Sequence, residues 1–148
     1  MQYRTLGHTG VQVSALALGA MNFGKIGRTT QDEATAIVDA ALQSGINVID
    51  TADIYSAGES EEMVGKAIAG RRDDIVLVTK ANNPMGDERD HRGSSRRWLV
   101  TELDNSLRRL GVDVLDAIDS IVAPGVDLAP GEKFDTPPAL LEKSLRRR

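Results

Sequence analysis

Three short apolar runs alternate with amphipathic helical segments, and this alternation limits the possible folds more than any other feature of the chain. Ala15-Leu16-Ala17-Leu18-Gly19 is almost continuously apolar; Ile46-Asn47-Val48-Ile49 runs into Asp50, and Ile75-Val76-Leu77-Val78-Thr79 runs into Lys80. Continuous runs of this length suit strands covered on both faces, as in a parallel sheet. Between the first two runs, Thr30-Gln31-Asp32-Glu33 has the Thr and Glu of a capping box. Ala34, Ile37, Val38, Ala41 and Leu42 then mark one helical face, ended by Gly45. Ser60 is placed to cap a second helix, with Glu61 and Glu62 in its first turn and Met63, Val64, Ala67 and Ile68 on its apolar side. A polar loop spans residues 82–93, and Ser94 or Ser95 then opens a third helix carrying Leu99, Leu103, Leu107 and Leu110 and ending at Gly111. Residues 112–115 begin a fourth strand. Ahead of everything, residues 2–5 and 11–13 read as a β-hairpin around Gly7 and Gly10.

Strands alternating with helices predict the α/β class, with a parallel sheet and right-handed crossovers. No G-x-G-x-x-G follows the first strand and no G-x-x-x-x-G-K-[ST] occurs anywhere, so a (β/α) barrel is preferred to the Rossmann and P-loop folds. A complete barrel takes roughly 250 residues. This chain has 148, so the expected fold is a partial TIM-type barrel with an N-terminal β-hairpin. Past Asp116 the alternation stops. Pro124, Pro130, Pro137 and Pro138, with Gly125 and Gly131 among them, predict an irregular C-terminal tail. The chain thus divides into a barrel segment, residues 1–116, and a tail, residues 117–148.

Composition removes several function classes. Aromatic residues make up only 3% of the chain and the net charge is −4, which argues against a nucleic-acid surface. The pairs Arg71-Arg72, Arg96-Arg97 and Arg108-Arg109 are scattered among acids and read as solvated helix ends. The absence of cysteine excludes disulfides and thiolate chemistry. No apolar run has the length of a membrane span or the flanks of a signal peptide, so a cytoplasmic protein is expected.

In parallel βα architectures, functional groups collect just past the C-terminal ends of the strands. Asp50 and Lys80 stand there. Adjacent strands lie about 4.8 Å apart, so the two can meet as an ion pair at the mouth, with Tyr55 in the loop that follows Asp50. A tyrosine beside a lysine ammonium is a plausible proton donor, because the cation favours the phenolate left behind. The same spacing also suits a structural bridge between two strand ends, with the tyrosine as loop packing.

The surrounding string is more specific. Asp50-Thr51-Ala52-Asp53-Ile54-Tyr55, followed by Gly58-Glu59-Ser60-Glu61-Glu62 and Gly65, closely resembles the signature of the aldo-keto reductase family. Arg4-Thr5-Leu6-Gly7, Leu18-Gly19-Ala20-Met21-Asn22-Phe23-Gly24, Val78-Thr79-Lys80 and Ser106-Leu107-Arg108-Arg109-Leu110-Gly111 extend the resemblance along residues 2–116. Ser56 departs from it, since many relatives have Gly there. The resemblance implies a TIM barrel that reduces aldehydes and ketones with NADP(H). Tyr55 would be the general acid, Lys80 its activating cation and Asp50 the group that orients Lys80. Gly19, Met21, Asn22 and Asp50 would lie against the cofactor, and the partner would be a small carbonyl substrate.

The family's fourth catalytic residue, a His just past the fourth strand, has no counterpart here, since Leu115-Asp116 leads into Ala117-Ile118-Asp119-Ser120. The rest of the chain resembles the family's C-terminal tail, as if the middle of the barrel had been removed. His91, in the loop after the third strand, is a conceivable substitute; His8 belongs to the hairpin at the opposite end. The alternative function is a non-catalytic remnant, or an interaction module that self-associates through open sheet edges and exposes Leu16 and Val76.

Overall fold

In the computed structural model, which describes residues 1–112, the chain opens with an antiparallel hairpin of β1 (Tyr3–Thr5) and β2 (Gln12–Ser14), in which Arg4 faces Val13. The three apolar runs become β3 (Ala17–Gly19), β4 (Val48–Asp50) and β5 (Val76–Val78). They form one parallel sheet in the order β3-β4-β5, with Gly19 beside Asp50 and Asp50 beside Val78. The Asn47 side chain accepts from Ser14 N and donates to Gln12 O, fastening the hairpin to the chain just before β4. The hairpin therefore sits at the end of the sheet away from Asp50.

Helix α1 (Gln31–Gln43) starts at the capping box: Glu33 N donates to the Thr30 hydroxyl, and Thr30 N donates to Glu33 Oε2 at 2.8 Å. Helix α2 (Glu59–Ala67) begins two residues earlier than expected, on Gly58 in the left-handed region at φ 96°. Ser60 is therefore not its cap but a buried residue of its first turn. Helix α3 (Arg96–Leu110) is capped by Ser95, whose hydroxyl accepts from Trp98 N, and ends on Gly111 at φ 64°.

Val38, Ile49, Val64 and Ile68 are at the centre of the core, where α1, α2 and β4 meet. Gly65 is needed where α2 meets α3, because any Cβ there would run into the Leu110 carbonyl. Two expectations are corrected. The buried face of α3 is Trp98, Glu102, Ser106 and Leu110, while Leu99 and Leu103 stay exposed. The first apolar run is not covered on both faces: Leu16 is 61% exposed, whereas Val76 is half-buried. Val112 packs against the core; the remainder of the expected fourth strand, the 116/117 boundary and the tail lie outside the described residues. Among the described residues, no helix is long and apolar enough to cross a membrane.

Candidate active site

The pairing of the sheet continues beyond its strands. Ala20 N donates to Asp50 O, Thr51 N to Val78 O and Asp53 N to Lys80 O, at 2.8, 2.8 and 3.0 Å. Asp50 and Lys80 are thus brought to the same end of neighbouring chain segments. Lys80 Nζ donates to both carboxylate oxygens of Asp50 at 2.7 Å and to Thr51 O at 2.8 Å, which engages all three ammonium protons. The same Nζ lies 5.3 Å from the centre of the Tyr55 ring, within cation–π range. The Lys80 and Asp50 side chains are 49% and 36% exposed, so the cluster opens to solvent.

Tyr55 is held by a tight turn, with its N–H donating to Ala52 O at 3.2 Å. Ser56 and Ala57, directly after it, both adopt left-handed backbone, at φ 50° and 56°. That conformation favours glycine, yet this chain places serine and alanine in it. Here the Ser56 hydroxyl donates to Phe23 O at 2.9 Å and accepts from Ile26 N at 3.2 Å. Its side chain therefore ties the tyrosine turn to the loop that follows β3. Gly19 lies beside Asp50 with open space around it, as a Cβ built there would meet nothing within 4 Å. Met21 and Asn22 are exposed on the segment leaving β3.

Behind the mouth lies a buried polar network. Glu61 is 0% exposed and takes Arg109 Nε and the Thr79 hydroxyl, each at 2.6 Å. Arg109 also donates to Glu102 and to the Ser106 hydroxyl. The paired carboxylates keep the guanidinium charged, holding its pKa above the ordinary value against the opposing effect of burial. Asp53 stands beside this cluster with Oδ2 buried and unpartnered. Burial, with smaller contributions from Glu102 and Glu61, raises its pKa from 3.8 to about 6.

The sequence pattern described as the Aldo/keto reductase family matches residues 15–122. The chain belongs to the aldo-keto reductase family. It is similar to the oxidoreductase YqkF of Bacillus subtilis, 40% identical over 118 residues that take in 78% of this chain and 37% of that protein. The aldo-keto reductase YhdN of the same organism is 40% identical over 120 residues, 78% of this chain and 36% of that one. Among solved structures, the holo form of the aldo-keto reductase AKR11C1 from Bacillus halodurans matches at 39% identity with a TM-score of 0.67, over 76% of this chain and 37% of its own. The chain thus spans little more than a third of the length of these relatives.

Within this aldo-keto reductase fold, Asp50, Lys80 and Tyr55 come together. His91 does not join them: its Nε2 lies 2.6 Å from Glu88, and its ring stacks on Trp98 with centroids 4.8 Å apart. Sequence reasoning missed the Glu61–Arg109–Glu102 network and read Arg109 as a solvated helix end. The signal lay in the helical spacing. Glu61 stands three and seven residues before Val64 and Ile68, and Glu102 stands four after Trp98 and eight before Leu110. Both acids fall on buried faces.

Proposed function

We propose that this chain carries the proton-donating part of an NADP(H)-dependent reductase of aldehydes and ketones. The observation that carries the reading is the Lys80 ammonium, fixed on Asp50 and 5.3 Å from the Tyr55 ring. Tyr55 gives its hydroxyl proton to the carbonyl oxygen as the alcohol forms. The neighbouring cation stabilises the phenolate left behind, and Asp50 keeps that cation in place.

The residues at the mouth fit the nicotinamide end of the cofactor. Open space at Gly19 leaves room for a flat ring beside Asp50. The exposed Met21 offers it an apolar surface, and the Asn22 amide offers a donor and an acceptor to its carboxamide. Bound there, the reduced nicotinamide supplies the hydride for the carbonyl carbon.

The test is a fluorescence titration with NADPH, together with NADPH oxidation over a panel of small aldehydes and ketones. Saturable binding is expected, with turnover lowered about 10²–10⁴-fold by Tyr55→Phe and binding retained. Failure of NADPH to saturate, or turnover indifferent to Tyr55→Phe, overturns the reading.

A further inference from the structure

The first turn of α2 reaches every segment that forms the mouth. Glu59 Oε2 accepts from Lys25 N, in the loop after β3, at 2.9 Å. The Ser60 hydroxyl donates to Ala20 O at 2.8 Å and lies 3.0 Å from the Thr51 hydroxyl, at the ends of β3 and β4. Glu61 accepts from the Thr79 hydroxyl, at the end of β5. The first two ties act on backbone or on a residue beside Asp50. The third acts on the residue that immediately precedes Lys80.

Successive side chains of an extended segment point to opposite sides. Thr79 reaches back to α2 while Lys80 reaches forward to Asp50. The backbone on either side of Thr79 is paired, with Thr51 N on Val78 O and Asp53 N on Lys80 O. Holding Thr79 from behind therefore fixes the direction in which Lys80 leaves the chain. Glu61 is itself immobilised, fully buried and gripped by Arg109, which Glu102 grips from the other side. Its carboxylate faces Arg109 and Thr79, with Asp53 and Glu102 as the neighbouring acids.

We propose that Glu61 is a positioning residue for Lys80, acting through the Thr79 hydroxyl to hold the ammonium on Asp50 and beside Tyr55. The proposal rests on the reductase reading for its purpose, and its test does not depend on that reading.

Removing Glu61 leaves Arg109 short of a partner in the interior and endangers the fold, so the decisive variant is Thr79→Val. It keeps the shape of the side chain and deletes only the hydroxyl. The full chain is exposed to an amine-acylating reagent, and the labelling rate of each lysine is followed by peptide mass spectrometry, with the exposed Lys25 and Lys66 as internal references. An ammonium held by three acceptors reacts slowly. Thr79→Val is expected to speed labelling of Lys80 about fivefold relative to the references, the change that one net hydrogen bond supports. Thr79→Ser, which restores the hydroxyl, returns the rate to that of the unsubstituted chain. An unchanged Lys80 rate in Thr79→Val, an equal acceleration of all three lysines, or a Thr79→Ser variant as fast as Thr79→Val overturns the proposal. The assay contains no nucleotide, so a failure of NADPH to bind would strike the reductase reading and leave this result intact.

Discussion

Asp53 carries the clearest pH signature among the described residues. Its carboxyl is buried, one oxygen has no partner, and Glu61 and Glu102 stand nearby. The folded state therefore holds its proton more tightly than the unfolded chain does. The stability this contributes is present below the ordinary value of 3.8 and is lost as pH rises from there to about 6. Glu33 works in the opposite direction: the Thr30 backbone N–H and hydroxyl lower its pKa, and its contribution is lost as pH falls. Asp53→Asn cannot ionise, so it should be more stable than the unsubstituted chain above pH 6 and should lose the decline between those limits. Urea melts of both proteins at a series of pH values check this. Parallel pH profiles would refute the assignment. The acid's burial was not legible in the string, because an Asp two residues before a tyrosine reads as an ordinary loop carboxylate.

At the scale of elements, the packing of α2 on α3 depends on Gly65. In an exposed helix interior, Gly→Ala stabilises by about 0.5–1 kcal/mol. Here the new methyl would run into the backbone carbonyl of Leu110, which cannot swing aside as a side chain would. Overpacking of this kind costs about 1–3 kcal/mol and outweighs the propensity gain. Gly65→Ala is expected to lower Tm by roughly 5–15 °C, and a rise in Tm would contradict the packing described. The same pair of helices shows where reading by pattern fails. The leucines of α3 drew attention to the face that stays exposed, while the buried face carries Glu102 and Ser106. A helix can bury polar side chains when a partner such as Arg109 satisfies them, and that partner's own destination is set by a different helix.

For the whole molecule, the governing fact is that the chain spans 37% of the length of YqkF. The described residues hold the reacting end of the proposed site. Remote contacts to the cofactor supply positioning energy for such a reaction, at about 1.5–3 kcal/mol for each charge-assisted hydrogen bond. We expect this chain alone to have a kcat/KM at least about 10²-fold below that of a full-length relative such as YhdN, measured side by side with NADPH and the same aldehydes. Comparable values would show that the described site needs no further contacts. Among the described residues β3 and β5 each have one neighbouring strand, and Leu16, Val78, Leu99 and Leu103 are exposed around them and on α3. Unpaired edges and apolar surface favour association. Light scattering is expected to show a dimer or larger species; a monodisperse monomer would refute this.

Local chemistry determined much of this protein from the sequence alone. The capping box of α1, the serine cap and glycine stop of α3, and the parallel order of the three apolar runs follow from side chains acting on their own backbone and from periodicity. So does the meeting of Asp50 and Lys80, because parallel strands must present their C-terminal residues at one end. What only the tertiary structure decided was the fate of polar groups with distant partners. Ser60 looked like a cap and instead binds Ala20 O; Arg109 looked solvated and instead joins Glu61 to Glu102; Ser56 stood out only as a departure from the family pattern, and in the fold it bridges two loops from a left-handed turn. The physical reason is range. Caps and periodicity act over one or two helical turns, whereas an ion pair between residues 61 and 109 exists only after two helices have packed.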